Sequence, residues 1–158
     1  MHRWLMLFLV FTLPALTSVA VSQTKAAPGG SFLSVQDVER ITGLHGVKLA
    51  PYDPSKGAGG DLNFANSNGD LILMVQRMPN SDALYTGSRK MSGIFKEDIA
   101  GVGDAAFSGP AGPLQYFITF KKGKGSGSAA TFMNLKARGT HLSMDVVKKV
   151  AQQIAAGM

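Results

Sequence analysis

The chain contains no cysteine among its 158 residues. Without thiols there is no disulfide framework, no Cys-ligated zinc or iron–sulfur centre, no thiol nucleophile and no cysteine to carry a lipid anchor. Histidine is nearly as scarce, with three copies at His2, His45 and His141. His45 and His141 stand at no metal-ligand spacing from a second histidine or a carboxylate, so both read as loop residues, and no metal or cofactor is expected. Serine is plentiful, yet no G-x-S-x-G elbow occurs. Acidic residues number 10 against 16 lysines and arginines, a formal net charge of +6. Such a basic balance favours anionic partners.

Long apolar runs are missing as well, apart from one near the N-terminus. Met1 to Arg3 supplies a positive start, Trp4 to Leu13 is apolar except for Thr12, and Ser18-Val19-Ala20 places small residues where a signal peptidase reads them. Pro14 and the short run exclude a spanning helix, which needs about 20 apolar residues. Residues 1–20 therefore read as a signal peptide cleaved after Ala20, with the membrane touched only through that segment. Its removal takes Arg3 and leaves the remainder basic. Residues 21–31, ending in Pro28-Gly29-Gly30, read as a flexible leader, and 32–158 as a single domain. A chain of this size buries about two thirds of its unfolded surface and needs no disulfide to close a core.

Within that domain, Ser34 and Asp37 form a capping box, Leu33 is placed to staple against Val38, and Gly43 stops the helix. Val47 to Ala50 is a first strand, ended by Pro51. Asn68-Gly69 predicts a two-residue type I′ hairpin with positive φ at both residues, pairing Ser67 with Asp70, Phe64 with Leu73 and Leu62 with Val75. Leu71 to Val75 is apolar on both faces, as in a strand covered on both sides. Asn80 or Ser81 caps a second helix to about Met91, with Ala83 and Leu84 inward. Ser143 caps the last helix, whose Val147, Val150, Ala151 and Ile154 fall on one stripe.

The densest mixture of turn and strand chemistry is Gly101 to Phe120, GVGDAAFSGPAGPLQYFITF. Ala105 to Ser108 reads as a short strand, GPAGP as a break, and Leu114 to Phe120 as the sheet centre, with Leu114, Tyr116, Ile118 and Phe120 facing the core. KKGKGSGS reads as a polar hairpin tip before a returning strand from Ala129 to Leu135. The order predicts an α+β domain: an antiparallel meandering sheet of about five to six strands with three helices packed on it.

The helix SVQDVERITG, the hairpin LNFANSNGDLILMVQ, the GVGDAAF turn and strand, and the closing amphipathic helix together resemble small exported bacterial proteins of uncharacterised function with PsbP-like or LpqN-like α+β domains. The resemblance covers most of Phe32 to Ile154. It implies a cell-envelope location, periplasmic or extracellular, and carries over no catalytic residues.

Chemistry-bearing clusters are few. Ser55 to Gly60, SKGAGG, lacks the G-K-[ST] and the following helix of a phosphate loop. Asp61, Asn63, Asn66, Asn68 and Asp70 offer oxygens, but an EF-hand register centred on Gly69 puts Phe64 and Val75 where carboxylates are required. Lys121, Lys122 and Lys124 are the best anion- or partner-binding candidates, set against the plainer reading of a solvated tip that discourages edge pairing. Nucleic acid is not expected, because no aromatic platform interleaves with these lysines. The leading expectation is an exported, non-catalytic module that binds an envelope protein or an anionic envelope component. The alternatives are a hydrolase whose Ser, His and Asp residues meet only in the fold, and a structural subunit of an envelope assembly.

Overall fold

The structure, a computed structural model, describes residues 32–51, 61–91, 96–110, 115–132 and 142–158. The expected signal peptide and leader, the SKGAGG segment, Leu114, the end of the returning strand at 133–135 and His141 lie outside the described residues.

Local signals place the first and last helices. In α1 (Val35–Thr42), the Ser34 hydroxyl accepts from the Asp37 backbone N–H at 3.1 Å and the Asp37 carboxylate accepts from the Ser34 N–H at 3.1 Å. This reciprocal box satisfies two of the orphan donors at the helix start. Leu33 and Val38 are fully buried beside it, as a staple requires. Gly43 ends the helix with φ of 72°. The last helix, α3 (Met144–Ala156), is capped by the Ser143 hydroxyl and buries Val147, Val150, Ala151, Ile154 and Ala155.

Seven strands, all antiparallel to their neighbours, form one sheet: β1 (Lys48–Ala50), β2 (Leu62–Ala65), β3 (Leu71–Met78), β4 (Glu97–Asp98), β5 (Ala105–Pro110), β6 (Gln115–Lys122) and β7 (Gly125–Phe132). Their order is β1-β2-β3-β7-β6-β5-β4, two meanders joined where β3 pairs with β7. The count exceeds the expected five to six because β4 has only two residues, too few to show any periodicity. The centre is β7 rather than the strand ending at Phe120, since β3 adds to β7 from far along the chain.

One face of the sheet carries Leu62, Phe64, Leu73, Val75, Ile118, Phe120 and Ala129, which close a core with the buried stripe of α3 and with Val38 of α1. Tyr116, expected on this face, is 42% exposed one residue pair beyond Ile118. The opposite face carries Phe107, Thr119, Lys121 and Ser126, and α2 (Ala83–Lys90) lies over it. No residue of α2 is fully buried: Leu84 and Tyr85 are half-buried, the Tyr85 ring meeting Phe107 edge-on at 5.4 Å, whereas Ala83 is exposed. Helical phase from Ser81 and Asp82, tied to Ser126 and Lys121, turns Ala83 outward.

Two turns differ from expectation. The pairs Leu62–Val75 and Phe64–Leu73 form as predicted, but Ala65 then pairs with Leu71 through a bulge. Gly69 has φ of 85° and Asn68 does not share it. The reason is Asn66, whose Oδ1 accepts from both the Asn68 and Asp70 backbone N–H groups and so stabilises a longer loop. At the expected GPAGP break, Gly109 and Pro110 stay in β5, opposite Phe117 and Tyr116. Since β4 pairs only with Phe107 and Ser108, those two residues border the sheet edge, where proline is tolerated.

Candidate functional site

The sequence GSGS was expected at the tip of a hairpin, but it opens the central strand. The turn is Gly123-Lys124, with φ of 57° at Gly123, and Gly125, Ser126 and Gly127 are buried. The lysines are consequently not equivalent. Strand alternation sends Lys121 and Lys122 to opposite faces. Lys121 pairs with Asp82 beside α2 at 3.2 Å, and Lys122 pairs with Asp104 at 3.1 Å. Lys124 is exposed in the turn.

Asp104 fastens this end of the sheet. Its backbone N–H donates to the Lys121 carbonyl at 2.8 Å, and its carboxylate accepts from the Gly123 N–H at 2.7 Å as well as from Lys122. Those donors, the Gly123 N–H foremost, hold its carboxyl below the ordinary carboxylate value. A side chain at Gly103 would collide with the Lys121 carbonyl, and φ there is 59°, so the GVGD turn can approach the strand only through glycine.

Around that turn the surface is hollowed. Gly101, Gly103, Lys122, Gln152, Ala155 and Ala156 line a depression of about 190 Å³. A larger one of about 500 Å³, lined by Arg40, Ile41, Lys149, Gln152, Gln153 and Ala156, shares Gln152 and Ala156 with it. The two adjoin at Gln152 and Ala156 on the exposed face of α3, the larger reaching Arg40 at the end of α1 and the smaller reaching Lys122. Gln152 is held in place by donating Nε2 to the Gly101 carbonyl at 2.9 Å. Arg40 carries Asp37 at 3.0 Å. Neither carboxylate lines either depression. The apolar stripe of the last helix leaves Lys149, Gln152 and Gln153 on its exposed face. The available signal was the spacing 149, 152, 153, 156, a second stripe on the helix opposite the apolar one.

The other candidates are structural or fall elsewhere. Asn66, Asn68 and Asp70 belong to the hairpin loop, and the Asp61 carboxylate accepts from the Arg77 N–H at 2.7 Å. Among the described residues no three His, Cys, Asp or Glu gather as a metal group requires. The loop after α1 exposes His45. On the sheet face away from α3, the Asn63 Oδ1 is buried and has no hydrogen-bond partner among the described residues. None of the helices among the described residues is long and apolar enough to cross a membrane. Comparison with family models, with curated proteins and with solved structures returned no match.

Proposed function

We propose that this is an exported, non-catalytic module of the cell envelope that docks an anionic envelope component on the basic rim formed by Lys122, Lys124, Lys149 and Arg40. The observation that carries this reading is adjacency: Lys122, singled out among the tip lysines, lines a depression that shares Gln152 and Ala156 with the larger one lined by Lys149 and Arg40. Cations grouped on one surface attract a negative partner and steer its approach, although Arg40 and Lys122 each share their charge with an exposed carboxylate, Asp37 and Asp104. The N-terminal signal pattern and the resemblance to PsbP-like and LpqN-like domains supply the envelope location. Lys121 takes part less directly, because Asp82 holds it on the α2 side.

The test uses the exported protein and anionic vesicles or envelope polymer at two salt concentrations. Replacing Lys121, Lys122 and Lys124 by glutamine is expected to weaken binding and flatten its salt dependence, with stability nearly unchanged because exposed pairs contribute little. Equal affinities and salt slopes for both proteins would remove the lysines from the site. Intact mass of the exported protein checks the location: a product still carrying residues 1–20 contradicts the cleaved signal.

A further inference from the structure

We propose that Asn68 is a site of spontaneous covalent modification, losing its side-chain amide through a cyclic imide formed with Gly69, and that Asn66 gates the reaction. Asparagine amides are chemically labile, and the residue that follows decides how readily they react. The chain contains five asparagines, and only Asn68 precedes a glycine. Glycine places no Cβ beside the attacking backbone nitrogen and leaves the backbone free to bring it round.

The fold keeps this pair accessible. Asn68 and Gly69 are both exposed at the tip of the β2–β3 hairpin, and nothing lies within 4 Å of where a side chain at Gly69 would stand. Among the described residues Asn68 is held through its backbone N–H, which donates to the Asn66 Oδ1 at 3.0 Å, and its own side-chain amide is unrestrained. Asn63 and Asn66, by contrast, are buried. Asn80 is exposed but is followed by Ser81, whose N–H donates to the Met78 carbonyl.

The chemistry needs no partner beyond water. The Gly69 nitrogen gives up its proton and attacks the Asn68 Cγ, the bond from Cγ to Nδ2 breaks, and the amide nitrogen leaves as ammonia with the proton. Water then opens the imide at one carbonyl or the other, giving aspartate or isoaspartate. Overall one water is taken up and one ammonia released, with nothing oxidised or reduced. The aspartate form sets a new carboxylate two residues from Asp70, and the isoaspartate form lengthens the backbone inside the turn.

Asn66 restrains that step. The Gly69 N–H donates to the Asn66 carbonyl at 2.9 Å, which fixes the nitrogen and keeps it protonated. The Asn66 side chain ties down the rest of the loop, since its Oδ1 accepts from Asn68 and Asp70 and its Nδ2 donates to the Asp70 carboxylate at 3.2 Å. Reaction therefore passes through local opening of the tip, and whatever loosens Asn66 speeds it.

The experiment incubates the folded protein at neutral and mildly alkaline pH and follows each asparagine by peptide mass mapping that separates aspartyl from isoaspartyl products. Asn66→Ala is run alongside, after a thermal melt shows that it folds, with hydrogen exchange at the Gly69 amide measured in both proteins. Wild type and Gly69→Ala are also compared in denaturing urea, where the strain of a side chain at positive φ plays no part. Conversion is expected at Asn68 ahead of every other asparagine, with both products present and a rate that climbs with hydroxide. Asn66→Ala raises that rate severalfold, in step with faster exchange at Gly69. In urea Gly69→Ala slows it by roughly tenfold. A folded protein that converts Asn80 as fast as Asn68, or leaves Asn68 intact while the urea sample reacts, overturns the site. Faster exchange at Gly69 in Asn66→Ala with an unchanged conversion rate overturns the gate.

Discussion

Phe120 of β6 lies directly opposite Gly127 of β7, and its ring occupies the space where a side chain at Gly127 would stand. The glycines of GSGS are thus a packing requirement of the central strand. Gly125 is under the same constraint, since a Cβ there would meet the Met78 and Pro79 carbonyls and the Met158 side chain. Gly127→Ala is expected to destabilise the domain by about 1 to 3 kcal/mol through overpacking. Adding Phe120→Leu restores part of that loss, so the two changes are not additive. Denaturant midpoints of both single variants and the double variant measure the coupling, and strict additivity would show that the ring does not press on Gly127.

The β2–β3 hairpin turns on Asn66 and Gly69. With φ of 85° at Gly69, Gly69→Val is expected to cost about 1 to 2 kcal/mol for left-handed geometry in a branched residue. Asn66→Ala removes the acceptor for two backbone N–H groups and is expected to cost about 1 to 3 kcal/mol. Asn68→Ala changes little, because Asn68 has no positive φ to maintain. Urea unfolding of the three variants ranks them, and an Asn68 variant as damaged as the Gly69 one would restore the two-residue turn.

Acid should loosen α1. The Ser34 hydroxyl, then the Ser34 N–H and Arg40, hold the Asp37 carboxyl below its ordinary value of 3.8. A carboxyl depressed in the folded state stabilises fully above the unfolded value, and that contribution is lost as pH falls through the folded value. Asp37→Asn is therefore expected to flatten the stability–pH curve below about pH 4, with wild type and variant converging at the acid end. Ser34→Ala is expected to cost about 1 kcal/mol at neutral pH. Thermal melts across the pH range check both, and parallel curves would place Asp37 outside the linkage.

Asp104→Asn tests the clamp on the Gly123-Lys124 turn. Lys122 loses its counter-charge and Gly123 loses a charged acceptor, so the Gly123 amide should exchange with solvent severalfold faster. The surface around Lys122 gains one unit of positive charge, and binding of anionic polymer should strengthen at low salt. An unchanged exchange rate with unchanged binding would mean that Asp104 neither fastens the turn nor competes for Lys122.

Much of this protein is local and was legible residue by residue. Ser34 with Asp37, Gly43, Ser143 and the Val147–Ile154 stripe act within four or so residues of themselves, so their helices follow from the sequence without any partner. The pairing of Phe64 with Leu73 likewise follows from a short loop. What tertiary structure alone decided is non-local. The junction of β3 with β7 makes β7 the centre, and it links residues more than 40 positions apart, Met78 with Ser126 and Leu73 with Thr131. Polar-looking GSGS becomes buried strand because the Phe120 ring fills the room at Gly127, and Met158 with the Met78 and Pro79 carbonyls fills that at Gly125. Lys121 and Lys122, neighbours in the chain, separate because a strand alternates its side chains and because Asp82 and Asp104 wait on opposite faces. The two adjoining depressions exist only where α3 meets α1 and the Gly101–Asp104 turn, since Arg40, Lys149 and Lys122 are brought to one surface by packing and by no spacing that the sequence displays.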